Sequence, residues 1–366
     1  MGATSEAKLA RLRAFMAEHG YGAVVLTRLE NLFWLGGGLD AHVPLVGDQG
    51  VATFVVTAHE AHLVTTNIEA PRLRDEELGE LARVVELHAV DWHSDRLAAE
   101  VSRLAAAGGR VASDVPGGGR ELVNLAPLRY SLSPAEVETY RRLGADQGAT
   151  VAEVARSVAP GETEQAIAGR LASALLCRGI TPTVLLVAAD ERIAAYRHPI
   201  PTGKPVERTA MLVAGGRRAG LIVSLTRLVH YGEPPADLLA RHQAVCAVDA
   251  ALISHTVVGA PVSAVFAAGV AAYSEAGFAD EWKLHHQGGA TGYAGRDYRA
   301  TLSVQETVQP WQAFAWNPSI AGTKSEDTIL ATPDGPEILS ASPDWPLVEC
   351  VTAAGAIARP GILVRS

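Results

Sequence analysis

The densest run of residues able to do chemistry is His285-His286-Gln287-Gly288-Gly289, continuing through Tyr293 to Arg296 and Asp297. Imidazoles and an amide supply donors and acceptors, glycines let a ligand approach the backbone, and an arginine holds a carboxylate in a two-pronged fork. Two further segments carry groups of the same kind. Tyr196-Arg197-His198-Pro199 presents a histidine, whose ordinary pKa of about 6.5 suits it to accept and donate a proton. Lys324-Ser325-Glu326-Asp327 presents a carboxylate. Buried, Glu326 needs a partner, and Lys324 and Arg227 are the two available. Ser224 and Asn317 add neutral hydrogen-bonding groups; Ser224 has no neighbouring histidine in sequence, so a nucleophilic serine would need its base from the fold. A phosphate loop is excluded, because neither GxxxxGK[ST] nor GxGxxG follows a strand pattern.

These groups need elements to hold them. Leu9, Leu12, Phe15 and Met16 fall at helical spacing within residues 5–19. Strands are predicted at 23–27, 51–56 and 62–66, and a helix near 94–107. This alternation marks residues 1–130 as a small α/β domain. A new pattern begins at Ser133, which caps a helix with Pro134 at its first position and Glu136 in the capping-box place. A second helix ends at Gly179, and strands follow at 183–189, 209–214 and 220–228. The order then recurs in helices at 235–257 and 263–277. The two helix-turn-helix units lie roughly 98 residues apart, a weak internal duplication. Residues 131–366 thus read as two α/α/β halves facing across a curved sheet, with a cleft between them as the natural ligand site.

Composition narrows the partners. The 366 residues carry a formal net charge of -9, with 48% apolar and 19% charged residues. Nothing resembles a basic stripe, so nucleic acid is not expected. Cys177, Cys246 and Cys350 are far apart and form no CxxC pair, which reads as buried structural thiols. No apolar run approaches the ~18 residues of a membrane span. The first fifteen residues are charged and amphipathic rather than a secretory leader. Glu6 stands where a myristoylation pattern wants Ser or Thr. A cytoplasmic location is the expectation.

With these motifs in order, the chain resembles the M24 pita-bread superfamily, which includes methionine aminopeptidase, aminopeptidase P, prolidase and creatinase. The N-terminal part resembles the creatinase N-terminal domain, with Asn31-Leu32-Phe33-Trp34-Leu35-Gly36-Gly37 as its strand-turn segment. Peptidases of this family hold two divalent ions with two Asp, one His and two Glu. Matched motif by motif, those places fall on Val213, Ser224, His286, Asn317 and Glu326, so only the His and the last Glu are kept. The resemblance also places His198 at the family's first active-site histidine and Tyr293 where many members have a second.

The resemblance and the missing ligands imply a metal-independent, creatinase-like enzyme acting by acid–base chemistry on a small amino-acid-like substrate through C–N hydrolysis. His198 would shuttle protons, with His286, Tyr293 and Glu326 positioning and polarising. Arg227, His285, Gln287, Arg296, Ser224 and Asn317 would bind substrate. No metal and no cofactor is called for. The partners implied are a small molecule and a second copy of the chain as a homodimer, into whose site Asn31, Trp34 or His42 would reach. Two alternatives are a non-catalytic pita-bread binding protein and an Xaa-Pro peptidase with an atypical metal site.

Overall fold

A computed structural model describes residues 2–106 and 108–366. Met1, where the leader and acylation readings begin, and Ala107, the last residue of the helix expected near 94–107, lie outside the described residues. The chain forms two compact units. One is built from residues up to Arg129 with Ala219–Leu221, the other from Tyr130–Arg218 and Ile222–Ser366.

In the first unit, α1 (Gly2–His19) and β1 (Tyr21–Arg28) are followed by α2 (Leu29–Leu35), β2 (Gln49–Thr57), β3 (Ala61–Thr66) and a single turn, α3 (Ala70–Arg72). Then come β4 (Glu86–Val90), α4 (Leu97–Ala105), β5 (Arg110–Ser113) and β6 (Glu121–Leu122). The strands make one mixed sheet in the order β4-β3-β2-β1-β5-β6. Its centre is buried on both faces, and so Ala23-Val24-Val25-Leu26 and Phe54-Val55-Val56 are continuous apolar runs rather than alternating ones. Val25, Val55 and Val64 pack with Val101 and Ala105 of α4. The carboxylate of Asp114 accepts hydrogen bonds from the Thr27 and Arg28 amides at the end of β1 and from Asn31 Nδ2. Asn31 and Trp34 are therefore fixed inside this unit, both at least 98% buried. His42 is held by Asp40. This corrects the expectation that Asn31 and Trp34 reach another site: Asn31 has a buried carboxylate and Arg129 to satisfy instead.

The second unit opens with α5 (Pro134–Ser157). Its start is a full capping box: Glu136 N donates to Ser133 Oγ, and Ser133 N donates to Glu136 Oε2 at 2.7 Å. Ser133→Ala is expected to cost about 1 kcal/mol of stability, read as a lower urea midpoint. α5 then lies unusually close to its neighbours. A Cβ on Gly144 or Gly148 would sit 2.3 Å from Leu339 O or 2.4 Å from Ala341 O. Between them, fully buried Gln147 donates from Nε2 to Ala214 O and Val223 O, both at 3.1 Å. That amide ties the helix to two adjacent strands and leaves little freedom in their spacing.

After α6 (Glu164–Leu176) come β7 (Thr181–Ala189), α7 (Glu191–Ala195), β8 (Thr209–Arg218) and β9 (Leu221–Tyr231). The second helical pair is α8 (Ala236–His255) and α9 (Val262–Glu275). It precedes β10 (Gly288–Thr291), β11 (Tyr298–Arg299), β12 (Gln312–Trp316), β13 (Ser319–Ile320) and β14 (Thr323–Lys324). β15 (Asp327–Thr332), β16 (Gly335–Ile338), β17 (Leu347–Thr352), β18 (Gly355–Pro360) and β19 (Ile362–Arg365) complete the chain. Two sheets result, β19-β9-β8-β7 and β11-β10-β12-β15-β16. They meet where Thr226 pairs with Glu326 and where Thr328 Oγ1 both accepts from Ser224 N and donates to Ser224 O. This is the pita-bread arrangement that the repeated α/α/β order implies: each helical pair feeds one sheet, and the sheets join at their middle. Among the described residues no helix is long and apolar enough to cross a membrane.

Candidate functional site

The junction of the two sheets carries a pocket of about 350 Å³. Val213 of β8, Ser224 of β9, His286 ahead of β10, Asn317 after β12 and Glu326 ahead of β15 all line it. Val213 and Ser224 sit within their strands while His286, Asn317 and Glu326 sit just outside theirs, and the sheet junction brings all five together.

The centre of the pocket is an ion pair. Lys324 Nζ lies 2.7 Å from Glu326 Oε2, and both residues are buried. Thr226 Oγ1 donates to the same oxygen at 2.6 Å, and Arg296 Nη2 stands 4.0 Å from Oε1. Burial alone would raise the carboxyl of Glu326, but the Lys324 ammonium, the two hydrogen bonds and Arg296 together hold it below its ordinary value. Glu326 is therefore ionised and compensated. Of the two partners open to it in sequence, Lys324 is the one in contact. Arg227 instead gives its guanidinium to Asp327, Ser340 O and Ser342 Oγ.

Three imidazoles stand to one side. His198, in the turn after α7, is at the pocket mouth. His285 Nε2 is 3.1 Å from His198 Nε2, and its Nδ1 is 3.0 Å from Ser319 Oγ. The rings of His285 and His286 are 4.7 Å apart. Desolvation first, then Lys324, lowers the pKa of His198. Burial takes His285 down to about 2, and burial with Arg296 takes His286 down to about 4. All three rings are neutral at pH 7, the form that accepts a proton or a Lewis acid. Leu186, Val213 and Ile222 make an apolar part of the lining.

Other expected site residues are placed elsewhere. Arg227 is 99% buried in a charge network and does not face the pocket, which replaces its expected role as a substrate clamp. Gln287 is a bridge: its Oε1 accepts from Tyr273 and its Nε2 donates to Trp282 O. Tyr293 Oη donates to Glu136 Oε1 at 2.5 Å and anchors the start of α5. His285 lies behind His198 rather than on the pocket surface. Sequence reasoning named Lys324 only as a partner and overlooked the apolar wall. The signal available in sequence was the pair of apolar runs that became β7 and β8; the structure sets Leu186 opposite Val213.

The two-ion ligand set of the family can be tested against these residues. Val213 offers no donor atom, Ser224 and Asn317 offer neutral oxygens, and the Lys324 ammonium already neutralises the retained Glu326. An ammonium 2.7 Å from a ligand oxygen occupies the volume and cancels the charge that a divalent ion there would require. The residues present do not fit two ions. Two buried atoms of the pocket, Asn317 Oδ1 and His286 Nδ1, have no hydrogen-bond partner. Ligand nitrogens of His198, His285 and His286 lie within 4.8 Å of one another.

Comparison with known proteins agrees with the fold. The chain belongs to metallopeptidase family M24: that family's model matches residues 138–333, and the creatinase/prolidase N-terminal domain matches residues 8–115. It is 24% identical over 220 residues to the probable dipeptidase PepE of Mycobacterium tuberculosis, a match covering 58% of each chain. The dipeptidase PepE of Mycobacterium ulcerans superposes with a TM-score of 0.77 at 20% identity, over 93% of this chain and 97% of that one. The Xaa-Pro dipeptidase of Bacillus anthracis gives 0.79 at 17% identity, over 99% and 100%. These relatives overturn the expectation of a metal-independent, creatinase-like C–N hydrolase. The names they carry are dipeptidase and Xaa-Pro dipeptidase, and they favour the peptidase alternative.

Proposed function

We propose that this chain is a hydrolase of short peptides whose centre departs from the two-ion arrangement of its family. The observation that carries this reading is the polarity of the pocket. Lys324 and Arg296 supply two cations against the single carboxylate of Glu326, with neutral imidazoles and an apolar part of the lining beside them. Such a pocket suits a dipeptide-sized molecule with an anionic end and an apolar side chain. Arg296 is the group free to receive a carboxylate, because its only contact to Glu326 is long and its Nε has no partner. Leu186, Val213 and Ile222 take the apolar part. His198 stands at the mouth with one nitrogen toward His285, which fixes the ring, and serves as the proton carrier. A divalent ion held by His198, His285 and His286 would supply Lewis-acid polarisation of a carbonyl; the orphaned His286 Nδ1 fits such a role and the nearby Lys324 opposes it.

The test is hydrolysis of a panel of dipeptides, Xaa-Pro members included, by chelator-treated protein with and without added manganese, cobalt or zinc. Hydrolysis of at least one dipeptide is expected. His198→Ala should lower kcat by about 100-fold or more, with its far-ultraviolet circular dichroism unchanged. Arg296→Met should act chiefly on KM. No turnover of any dipeptide under any metal condition, together with saturable binding of one, would instead make the chain a peptide-binding member.

A further inference from the structure

Far from that pocket in sequence, β3 and β4 bring a second group of ligand-type side chains together within the first unit. The two strands run parallel, with His62 opposite Glu86 and Val64 opposite His88. Residues two apart on a strand share a face, so His62, Glu86 and His88 all project from the same side of the sheet. Their inner atoms form a small triangle. His62 Nδ1 is 3.0 Å from His88 Nε2 and 3.5 Å from Glu86 Oε2, and His88 Nε2 is 3.4 Å from Glu86 Oε2.

Those edges have a specific meaning. A tetrahedral ion with ligand distances of about 2.0–2.1 Å separates its ligands by about 3.3 Å. Two imidazole nitrogens and a carboxylate oxygen already stand at the spacing of one face of such a tetrahedron. Hydrogen bonding alone does not call for a closed triangle of three lone-pair atoms, because each proton satisfies one edge.

The outer atoms of both rings support the same reading. His62 Nε2 lies 3.4 Å from Glu60 Oε2, and His88 Nδ1 lies 3.3 Å from Glu100 Oε1 on α4. His62 is 95% buried, and its Nε2 has no hydrogen bond of good geometry. Carboxylates facing the far nitrogen of each ligating histidine orient the rings and raise their basicity toward a cation. Glu100 is itself fixed by Arg103, at 2.9 and 2.6 Å. Glu86 is largely exposed, which leaves the fourth coordination position to solvent. We propose that His62, Glu86 and His88 form a mononuclear site for a zinc-class divalent ion, completed by water, with Glu60 and Glu100 as its orienting carboxylates. β4 is the edge strand of its sheet, and an ion here would fasten that edge to β3 and to the helix above it.

Zinc binding to the chelator-treated full chain, measured by equilibrium dialysis and calorimetry, tests the site. His285→Ala separates it from the imidazoles of the pocket. One equivalent of zinc is expected in the wild type that persists in His285→Ala and is missing from His88→Gln. His62→Ala should lose the same equivalent. Glu100→Gln, which touches no ion, should weaken it by roughly 10-fold or more. Cobalt in place of zinc should show the intense visible absorption of a four-coordinate ion in wild type and not in His88→Gln. If His62→Ala fails to fold, His88→Gln and Glu100→Gln, both less buried, carry the test. The proposal is overturned if no zinc binds, or if His88→Gln binds as many equivalents as the wild type with the same affinity.

Discussion

Asp327→Ala is expected to destabilise the chain by about 3–5 kcal/mol, seen as a large fall in the urea midpoint with little change in slope. Asp327 holds two arginines at once. Its Oδ1 receives Arg227 Nη2 at 2.9 Å, and its Oδ2 receives Arg359 Nη2 at 2.7 Å. Arg359 Nε also donates to Asp249 Oδ2 at 2.8 Å. The two arginines and two aspartates are each 98% buried or more and sum to zero charge. Removing Asp327 leaves a net positive charge in the interior that guanidinium groups do not shed by losing a proton. Asp327→Asn keeps hydrogen-bonding atoms but not the charge, and should recover only a minor part of the loss. A midpoint for Asp327→Ala within error of the wild type would remove the quartet from the list of features that hold the two sheets together.

The second large effect belongs to the pocket. Lys324→Met deletes the main charge partner of Glu326, and breaking a buried pair from one side costs about 3–5 kcal/mol. The double variant Lys324→Met/Glu326→Gln should regain most of that, because no unpaired charge remains; the cycle gives the coupling directly. The pH dependence separates this from a packing defect. In the wild type, Glu326 has a folded pKa below its ordinary 4.5. Its contribution to stability is therefore full above about pH 4.5 and is lost as pH falls toward the folded pKa. In Lys324→Met the opposing effect of burial dominates, and the folded pKa rises above the unfolded one. The deficit should then be largest at neutral pH and shrink as acid protonates the carboxyl. A deficit independent of pH would assign the loss to packing.

Much of this architecture is legible in the residues. Ser133, Pro134 and Glu136 announce the start of α5, because a capping box is local and each of its hydrogen bonds spans three residues. The strands at 23–27, 51–56 and 62–66 are found within one or two residues of their observed ends, since β-branched runs buried on two faces have few other uses. The matching of Val213, Ser224, His286, Asn317 and Glu326 to one set of positions also corresponds to one place in space, the pocket they line. Side-chain direction was not legible. Arg227 and Arg296 are alike as letters, yet one is consumed by Asp327 and the other faces the cavity. Tyr293 follows a motif that points to the site, but its hydroxyl turns to Glu136, which lies 157 residues earlier. His62, Glu86 and His88 carry no recognisable spacing at all, because strand register and not sequence distance sets their triangle.

The Lys324–Glu326 pair also constrains how this pocket can change over generations. Restoring one lost ligand, for example by Val213→Asp, adds a carboxylate to a site that still holds an ammonium and lacks the rest of the ion's shell. Removing Lys324 first strands Glu326 without its counter-charge. Neither first step toward the family's two-ion ligand set completes an ion's shell, and the removal of Lys324 also lowers stability. A change to that ligand set therefore passes through sequences in which the pocket holds neither a complete ion shell nor the intact Lys324–Glu326 pair.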